Sequence, residues 1–254
     1  MYLISIFSNM SDMRRRYALR LVGRIAVLII AILFCIFDPA QFEVIRGMNF
    51  FRSFSWLHLL WCIWVIDMAV QLMPVKANIS LGSQKLWHMR FKPIREAFSI
   101  EKVKKHVLET TRAALWVVVL WCALIAVIGV LAWQGIMTDI ALFVTSIVFY
   151  VCDLICVLIW CPFRLIMKNR CCTTCRIFNW DHLMMFSPLL FMPSVYCWSL
   201  LGLSIVAVLV WEIFVFLHPE RFWEGANEAL TCASCTDKLC TQYCRKLRPK
   251  KDGQ

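Results

Sequence analysis

Seven cysteines lie in polar sequence, where packing of a small apolar side chain does not explain them. The first group is the run RCCTTCR, and the second is the C-terminal run CASCTDKLCTQYC. Two thiolates separated by two residues reach one metal ion from a tight turn, and such pairs build zinc and iron–sulfur sites. The sequence therefore predicts metal binding by Cys171, Cys172, Cys175, Cys232, Cys235, Cys240 and Cys244.

The spacing of these cysteines leaves the identity of the metal open. The tail pattern C-x2-C-x4-C-x3-C approaches the ferredoxin run C-x2-C-x2-C-x3-C, and it is equally close to a zinc knuckle that has lost one residue. Disulfides are the alternative if the tail lies on an oxidising side of the membrane. The RCCTTCR run either joins the same site, forms a second one, or is a thiol redox pair whose thiolate pKa Arg170 and Arg176 should lower.

The other seven cysteines fall inside or at the edge of apolar stretches. We interpret this set as packing residues, because free cysteine is among the most buried residue types. The set is Cys35, Cys62, Cys122, Cys152, Cys156, Cys161 and Cys197.

Two carboxylates interrupt apolar sequence, Asp67 in WVIDMAV and Asp153 in YVCDLIC. A charged side chain at the centre of a membrane helix costs about 2.5–3.5 kcal/mol, so such residues face a partner, a cavity or water. Both are candidates for proton transfer, cation binding or a quinone site, and we expect them to share one polar pocket. The structural alternative is that each pairs with a nearby Arg or Lys to fix helix packing.

Composition assigns the chain to the membrane. Of its 254 residues, 61% are hydrophobic and 17% are charged, and the mean hydropathy is +0.70. A soluble domain is nearer 45–50% apolar and about 25% charged. The net charge of +11 suits loops beside membrane spans, which argues against a soluble enzyme and against a nucleic-acid partner.

The hydropathy pattern predicts an all-α, polytopic membrane bundle with about five spans and a re-entrant segment around Pro188 and Pro193. We expect Arg20 and Arg24 to extend from the first span toward lipid headgroups. The transmembrane domain covers 1–217 and a Cys-rich basic tail covers 218–254. The spans are about 17–37, 54–73, 113–133, 139–160 and 194–217, with an interfacial basic loop at 74–112 and a Cys loop at 161–187.

The distribution of Lys and Arg predicts the orientation in the cell membrane. Residues 1–17 carry three, 74–112 carry nine and 133–138 carry none, which places the N-terminus in the cytoplasm. If successive spans strictly alternate in direction, the tail lies outside the cell. A split helix across the two prolines would instead place the tail on the inner side, and we expect a cytoplasmic tail. The charged segment Ser99–Thr111 is expected to form a helix on the inner surface.

Three functions are consistent with these features. The first is an electron-transfer subunit with a Cys-ligated iron–sulfur centre, which passes electrons to a quinone, a soluble redox partner or another membrane subunit. The second is a non-catalytic membrane protein whose four-cysteine zinc site staples the bundle or docks a partner. The third is an ion-coupled transporter that uses Asp67 and Asp153.

One short motif resembles a known family. Cys161-Pro162 directly follows a predicted span, with cysteine clusters nearby, and this arrangement is weakly similar to the membrane subunits of ferredoxin-containing quinol dehydrogenases. The resemblance implies electron transfer from iron–sulfur clusters toward quinones. The chain lacks the ferredoxin repeats and the paired Cys-Pro motifs of that family. It also contains no nucleotide-binding or hydrolase motif.

Overall fold

The computed structural model describes residues 11–74, 80–94, 99–169 and 171–239. The fold is 75% helical, and the described residues contain no strand, which agrees with the predicted all-α class. The helices of these ranges are α1 (Asp12–Phe37), α2 (Leu57–Leu72), α3 (Leu81–Gln84), α4 (Ile100–Trp133), α5 (Asp139–Leu158), α6 (Phe163–Met167), α7 (Asp181–Phe186) and α8 (Val195–Leu217).

Four of the described helices, α1, α4, α5 and α8, are long and apolar enough to cross a membrane. The segment predicted as the second span differs, because α2 has only 16 residues. At a rise of 1.5 Å per residue it measures about 24 Å, which is less than the hydrocarbon thickness. The described residues therefore supply four span-length helices, where the hydropathy pattern predicted five.

Short polar side chains set the starts of three long helices. Ser11, Thr138 and Ser194 occupy the N-cap positions of α1, α5 and α8, and each side-chain oxygen accepts a hydrogen bond from a backbone N–H of the first turn. The charged segment predicted as a surface helix that leads into the third span is continuous with that span, because α4 runs unbroken for 34 residues. Gly135, at a φ of +74°, lies just beyond its end.

The proline-interrupted segment before α8 folds as a compact irregular plug. The six-residue α7 leads directly into a 3-10 turn at Ser187–Phe191, and the chain then becomes extended before α8. Phe186 and Leu189 are fully buried in this plug. The expected half-helix followed by a complete helix is thus present as backbone geometry, with a shorter first piece than a membrane re-entrant helix would need.

The largest of the five clusters of buried side chains among the described residues is rich in aromatic rings. Trp64 lies at its centre, with its ring 5.1 Å from that of Phe186 and 5.6 Å from that of Tyr150. The Tyr196 hydroxyl donates to the Leu57 carbonyl at 2.9 Å, which joins α8 to the first turn of α2. α1 packs along α5 and α2 packs along α8, so that the polar residues of α1, α2 and α5 face one another.

Large apolar side chains cover the outer surfaces of the four long helices. Exposed apolar side chains are favourable in contact with lipid and unfavourable in contact with water, so this surface agrees with the membrane class. The most exposed examples include Leu19, Ile36, Trp116, Val127, Leu209 and Phe216.

Candidate functional site

A cavity of about 270 Å³ lies between α1, α2, α4 and α5 and is closed at one end by the Cys loop. Phe149, Cys152, Asp153 and Cys156 contribute from α5 at i, i+3, i+4 and i+7, so one face of this helix lines about 10 Å of the cavity. Its walls differ in chemistry: one is ionic, one is aromatic and one consists of thiols. The thiols are Cys152, Cys156, Cys161, Cys171, Cys172 and Cys175.

The ionic wall is organised around Arg24 of α1. Its guanidinium lies 2.6 Å from the Asp153 carboxylate and 3.9 Å from that of Asp67. It also donates to the Tyr150 carbonyl at 2.6 Å and lies 3.9 Å from the centre of the Tyr150 ring. The two aspartates that the sequence analysis assigned to one pocket therefore meet on the same arginine.

Arg24 is 6% exposed, so it does not extend to the headgroups as expected from its position near the start of the span. Its charge is used inside the bundle, because two carboxylates on neighbouring helices supply the compensation that buried arginine needs. A sequence signal was present: one Arg within an apolar stretch, opposite two Asp residues within other apolar stretches.

His182 extends the ionic wall from α7. Its two ring nitrogens lie 3.2 Å from the Asp181 carboxylate and 3.5 Å from the Asp67 carboxylate. Burial disfavours the charged ring, but Asp181 and Asp67 outweigh burial and raise the pKa of His182 to about 10. The imidazole is therefore a cation at neutral pH, and it links the plug to α2.

The thiol wall begins where α5 ends. Cys156 lies in the last turns of α5, and Cys161 follows the helix end just before Pro162. A hydrogen bond with the Cys156 thiol lowers the pKa of Cys161 to about 7, although burial opposes this effect. The backbone N–H groups of Phe163 and Arg164 lower it further. The thiolate form of Cys161 is consequently favoured over that of an ordinary cysteine.

The RCCTTCR segment packs against this pair. A 3-10 turn at Cys172–Thr174 carries it, and the Cys172 thiol donates to the Cys156 carbonyl at 3.9 Å. Burial raises the pKa of Cys172 to about 12 and also raises the pKa of Cys175. Arg176 does not lower these pKa values as expected, because it forms a bidentate pair with Glu212, and Arg170 lies outside the described residues.

Lys85 holds the Cys loop in place from the segment after α3. It is fully buried, and its ammonium donates to the carbonyls of Thr173 at 2.9 Å and Cys175 at 2.8 Å. Its nitrogen also lies 5.1 Å from the Trp211 ring. Burial lowers the pKa of Lys85 to about 7. The sequence does not predict the burial of Lys85, since this lysine lies in a basic loop and no neighbouring residue distinguishes it from a solvent-exposed lysine.

The described part of the tail is attached to the bundle by Asp237. Its carboxylate accepts from the Leu81 N–H at 2.7 Å at the start of α3, where the Ser80 side chain forms no capping hydrogen bond. The Ser11 hydroxyl donates to the Asp237 carbonyl at 2.8 Å, which joins the tail to α1. These two hydrogen bonds of Asp237 hold this part of the tail against α1 and the start of α3.

The seven predicted metal ligands occupy different places. Cys171, Cys172 and Cys175 line the cavity, Cys232 is exposed and Cys235 is half-buried, and Cys240 and Cys244 lie outside the described residues. Within the described ranges, no group of three or more His, Cys, Asp or Glu side chains is arranged to hold a metal ion. The cavity thiols thus surround a space and do not converge on one point.

Two thiols that we assigned to packing, Cys156 and Cys161, are the ones that form a hydrogen-bonded pair in the cavity. The signal that would have found them is the position of Cys161 between a helix end and a proline, where a chain reversal brings it back toward Cys156.

No protein-family model matches the chain, and no curated protein or solved structure shows significant similarity to it. The chemistry of the cavity is therefore inferred from its own residues.

Proposed function

We propose that the protein is a membrane-embedded thiol–disulfide electron-transfer protein in which Cys156 and Cys161 form the reactive dithiol. The observation that carries the proposal is the position of these two thiols on the wall of one cavity, which four further cysteines also line. A thiolate is the nucleophile in thiol–disulfide exchange, and a thiol with a pKa near the ambient pH attacks fastest. Cys161 has this property.

The reaction proceeds in two balanced steps with a disulfide as the oxidant. The Cys161 thiolate attacks one sulfur of the oxidant, forming a mixed disulfide and releasing the other sulfur as a thiolate. Cys156 then gives its proton to the thiolate released in the first step and attacks the Cys161 sulfur, forming a Cys156–Cys161 disulfide and releasing the second thiolate. Two electrons pass to the oxidant, and a partner dithiol reverses the sequence.

The neighbouring groups support this role. Cys172 is the next thiol along the wall, because it donates to the backbone of Cys156, and its raised pKa keeps it protonated while Cys161 reacts. Exposed Cys152 lies one helical turn from Cys156 on the same face and provides a matched thiol without the hydrogen-bonded partner.

The test is differential alkylation of the reduced, full-length protein in detergent micelles at pH 7, followed by mass spectrometry. Cys161 should react faster than Cys172, by about tenfold or more, because the two thiolate fractions differ greatly. Treatment with oxidised glutathione should then produce a disulfide between Cys156 and Cys161.

Variants at two positions separate this mechanism from general thiol chemistry. The Cys161→Ser variant should lose both the fast alkylation and the internal disulfide, whereas Cys152→Ser should retain both. If oxidised glutathione yields no 156–161 disulfide in the wild type, or if Cys161→Ser alkylates as the wild type does, the proposal is wrong.

The iron–sulfur centre and the four-cysteine zinc site remain predictions. Anaerobic purification followed by metal analysis tests them directly: a brown sample with two or more irons per chain indicates the first, and one colourless zinc per chain indicates the second. Either result would replace the thiol-only mechanism. Orientation in the cell membrane, with a cytoplasmic N-terminus and tail, is tested by labelling exposed Cys232 with an impermeant maleimide in intact cells.

Ion-coupled transport also remains a prediction. Asp67 and Asp153 are both paired with Arg24, so their charges are compensated within the bundle. Flux measurements in vesicles with Asp153→Asn would test this function, which requires the flux to disappear in the variant.

A further inference from the structure

The cavity has the shape and the chemistry to hold more than its own thiols. Its aromatic wall consists of Trp121 from α4, Phe149 from α5 and Phe163 from α6. The Trp121 ring lies 5.0 Å from Phe149 and 6.2 Å from Phe163, and its N–H is fixed by a hydrogen bond to the Ser187 hydroxyl at 3.0 Å. These rings form a preorganised surface on which a planar ring can stack.

Polar groups also line the cavity. Arg20 and Gln71 line the cavity from α1 and α2 and offer N–H donors to a carbonyl oxygen. A volume of about 270 Å³ accommodates one ring with its substituents and excludes a whole lipid. The pocket therefore suits a planar molecule with an apolar body and carbonyl acceptors.

The cavity meets the outer surface of the bundle on one side of α5. Cys152 lines the cavity and is exposed, and Val148, one turn earlier on the same helix, is 38% exposed. Because α5 is one of the span-length helices, this edge would face lipid. A molecule dissolved in the bilayer could enter there, whereas a water-soluble substrate would have to cross an apolar surface.

We propose that this cavity binds the head group of a membrane quinone, which accepts the two electrons of the Cys156–Cys161 dithiol. The inference rests on the proposed function. In the reaction the dithiol loses two electrons and two protons and becomes a disulfide, and the quinone gains two electrons and two protons and becomes a quinol. The Cys156 and Cys161 thiols at one end of the cavity and the stacking surface beside them bring both reactants into the same space.

Binding is tested separately from redox chemistry. Decylubiquinone is titrated into the purified full-length protein in lipid nanodiscs, and bound quinone is measured after removal of free ligand. The double variant Cys156→Ser/Cys161→Ser has no reactive dithiol but keeps side chains of similar size on the cavity wall, so it should still bind the quinone saturably and should form no quinol.

A matched pair of tryptophan substitutions tests the location. Cys152→Trp places a large side chain at the lipid-facing edge of the cavity, at an exposed position where folding should tolerate it, and should weaken binding about tenfold or more. Cys122→Trp makes the same change at an exposed cysteine of α4 that does not line the cavity, and should leave affinity unchanged. Val157→Trp, a substitution inside the cavity, provides a second filled variant.

The outcomes separate the two proposals. The absence of saturable quinone binding, or equal binding by Cys152→Trp and Cys122→Trp, overturns the quinone site even if glutathione still forms the 156–161 disulfide. Displacement of the quinone by an anionic phospholipid at equal concentration also overturns it, because the occupant is then a lipid headgroup. Saturable binding without quinol formation by the reduced protein preserves the binding site and contradicts the proposed electron transfer.

Discussion

The ionic wall and the thiol wall border the same cavity but use their polar groups in opposite ways. On the ionic wall, Arg24 and His182 are matched by Asp67, Asp153 and Asp181, so that charges are compensated inside the bundle. On the thiol wall, the groups are neutral or share one proton, and they are held by backbone contacts and by burial. We infer that the paired charges of the ionic wall stabilise the structure and that the thiols of the other wall are available for reaction.

The role of the ionic wall in stability is tested most directly by removing Arg24. Arg24→Met leaves the Asp153 carboxylate without a counter-charge and leaves Asp67 with His182 alone, and we expect a loss of about 3–5 kcal/mol in the free energy of unfolding. Reversible unfolding by SDS in mixed micelles measures the change. Arg15→Met, at an exposed position of the same helix, serves as the control.

A second substitution identifies the cause of the loss. Adding Asp153→Asn to Arg24→Met removes the carboxylate that lost its counter-charge, so the double variant should be less destabilised than the sum of the two single variants. If Arg24→Met is as stable as Arg15→Met, the ionic wall does not stabilise the fold.

The two walls also predict opposite responses to pH. The pKa of His182 is raised from 6.5 to about 10, so its contribution to stability is complete below pH 6.5 and is lost as the pH rises toward 10. The pKa of Lys85 is lowered from 10.5 to about 7, so its contribution is complete above pH 10.5 and is lost as the pH falls toward 7. Between about pH 7.5 and 9.5 the two slopes oppose each other.

Variants should expose these slopes. Relative to the wild type, His182→Gln should gain stability with rising pH, and Lys85→Met should lose it, each by about 1 kcal/mol per pH unit in that range. Unfolding titrations at four pH values measure the differences. Parallel profiles for the wild type and both variants would show that neither buried cation controls stability.

The smallest expected effect concerns the tail, which borders the thiol side. Asp237→Ala removes the carboxylate that caps α3, at an expected cost of about 1 kcal/mol. The Asp237 contact also holds the neighbouring part of the tail in place. Its loss should therefore raise the alkylation rate of half-buried Cys235 as well. Glu101→Ala, at an exposed site on α4, should change neither the free energy of unfolding nor the Cys235 alkylation rate. If Asp237→Ala leaves the Cys235 rate unchanged, the Asp237 cap does not hold the tail in place.

Much of the fold could be predicted locally. Apolar runs of about 20 residues require helices in a bilayer, and Ser or Thr before them marks the starts at Ser11, Thr138 and Ser194. The second predicted span was too long because hydropathy extends through Phe54–Trp56, although the helix begins only at Leu57. Local sequence therefore determined element type more reliably than element length.

The sequence by itself determined that this is a helical membrane protein with carboxylates at membrane depth and an unusual supply of thiols. Only the tertiary structure decided how those groups pair. Arg24 contacts an aspartate 129 residues away, and Lys85 binds a carbonyl 88 residues away. Such pairs form because a buried charge must find compensation wherever packing brings it, and no local pattern in the chain encodes that position. The chain path around Cys161-Pro162 likewise brings Cys161 and Cys156 to the same cavity, which the spacing of the cysteines does not indicate.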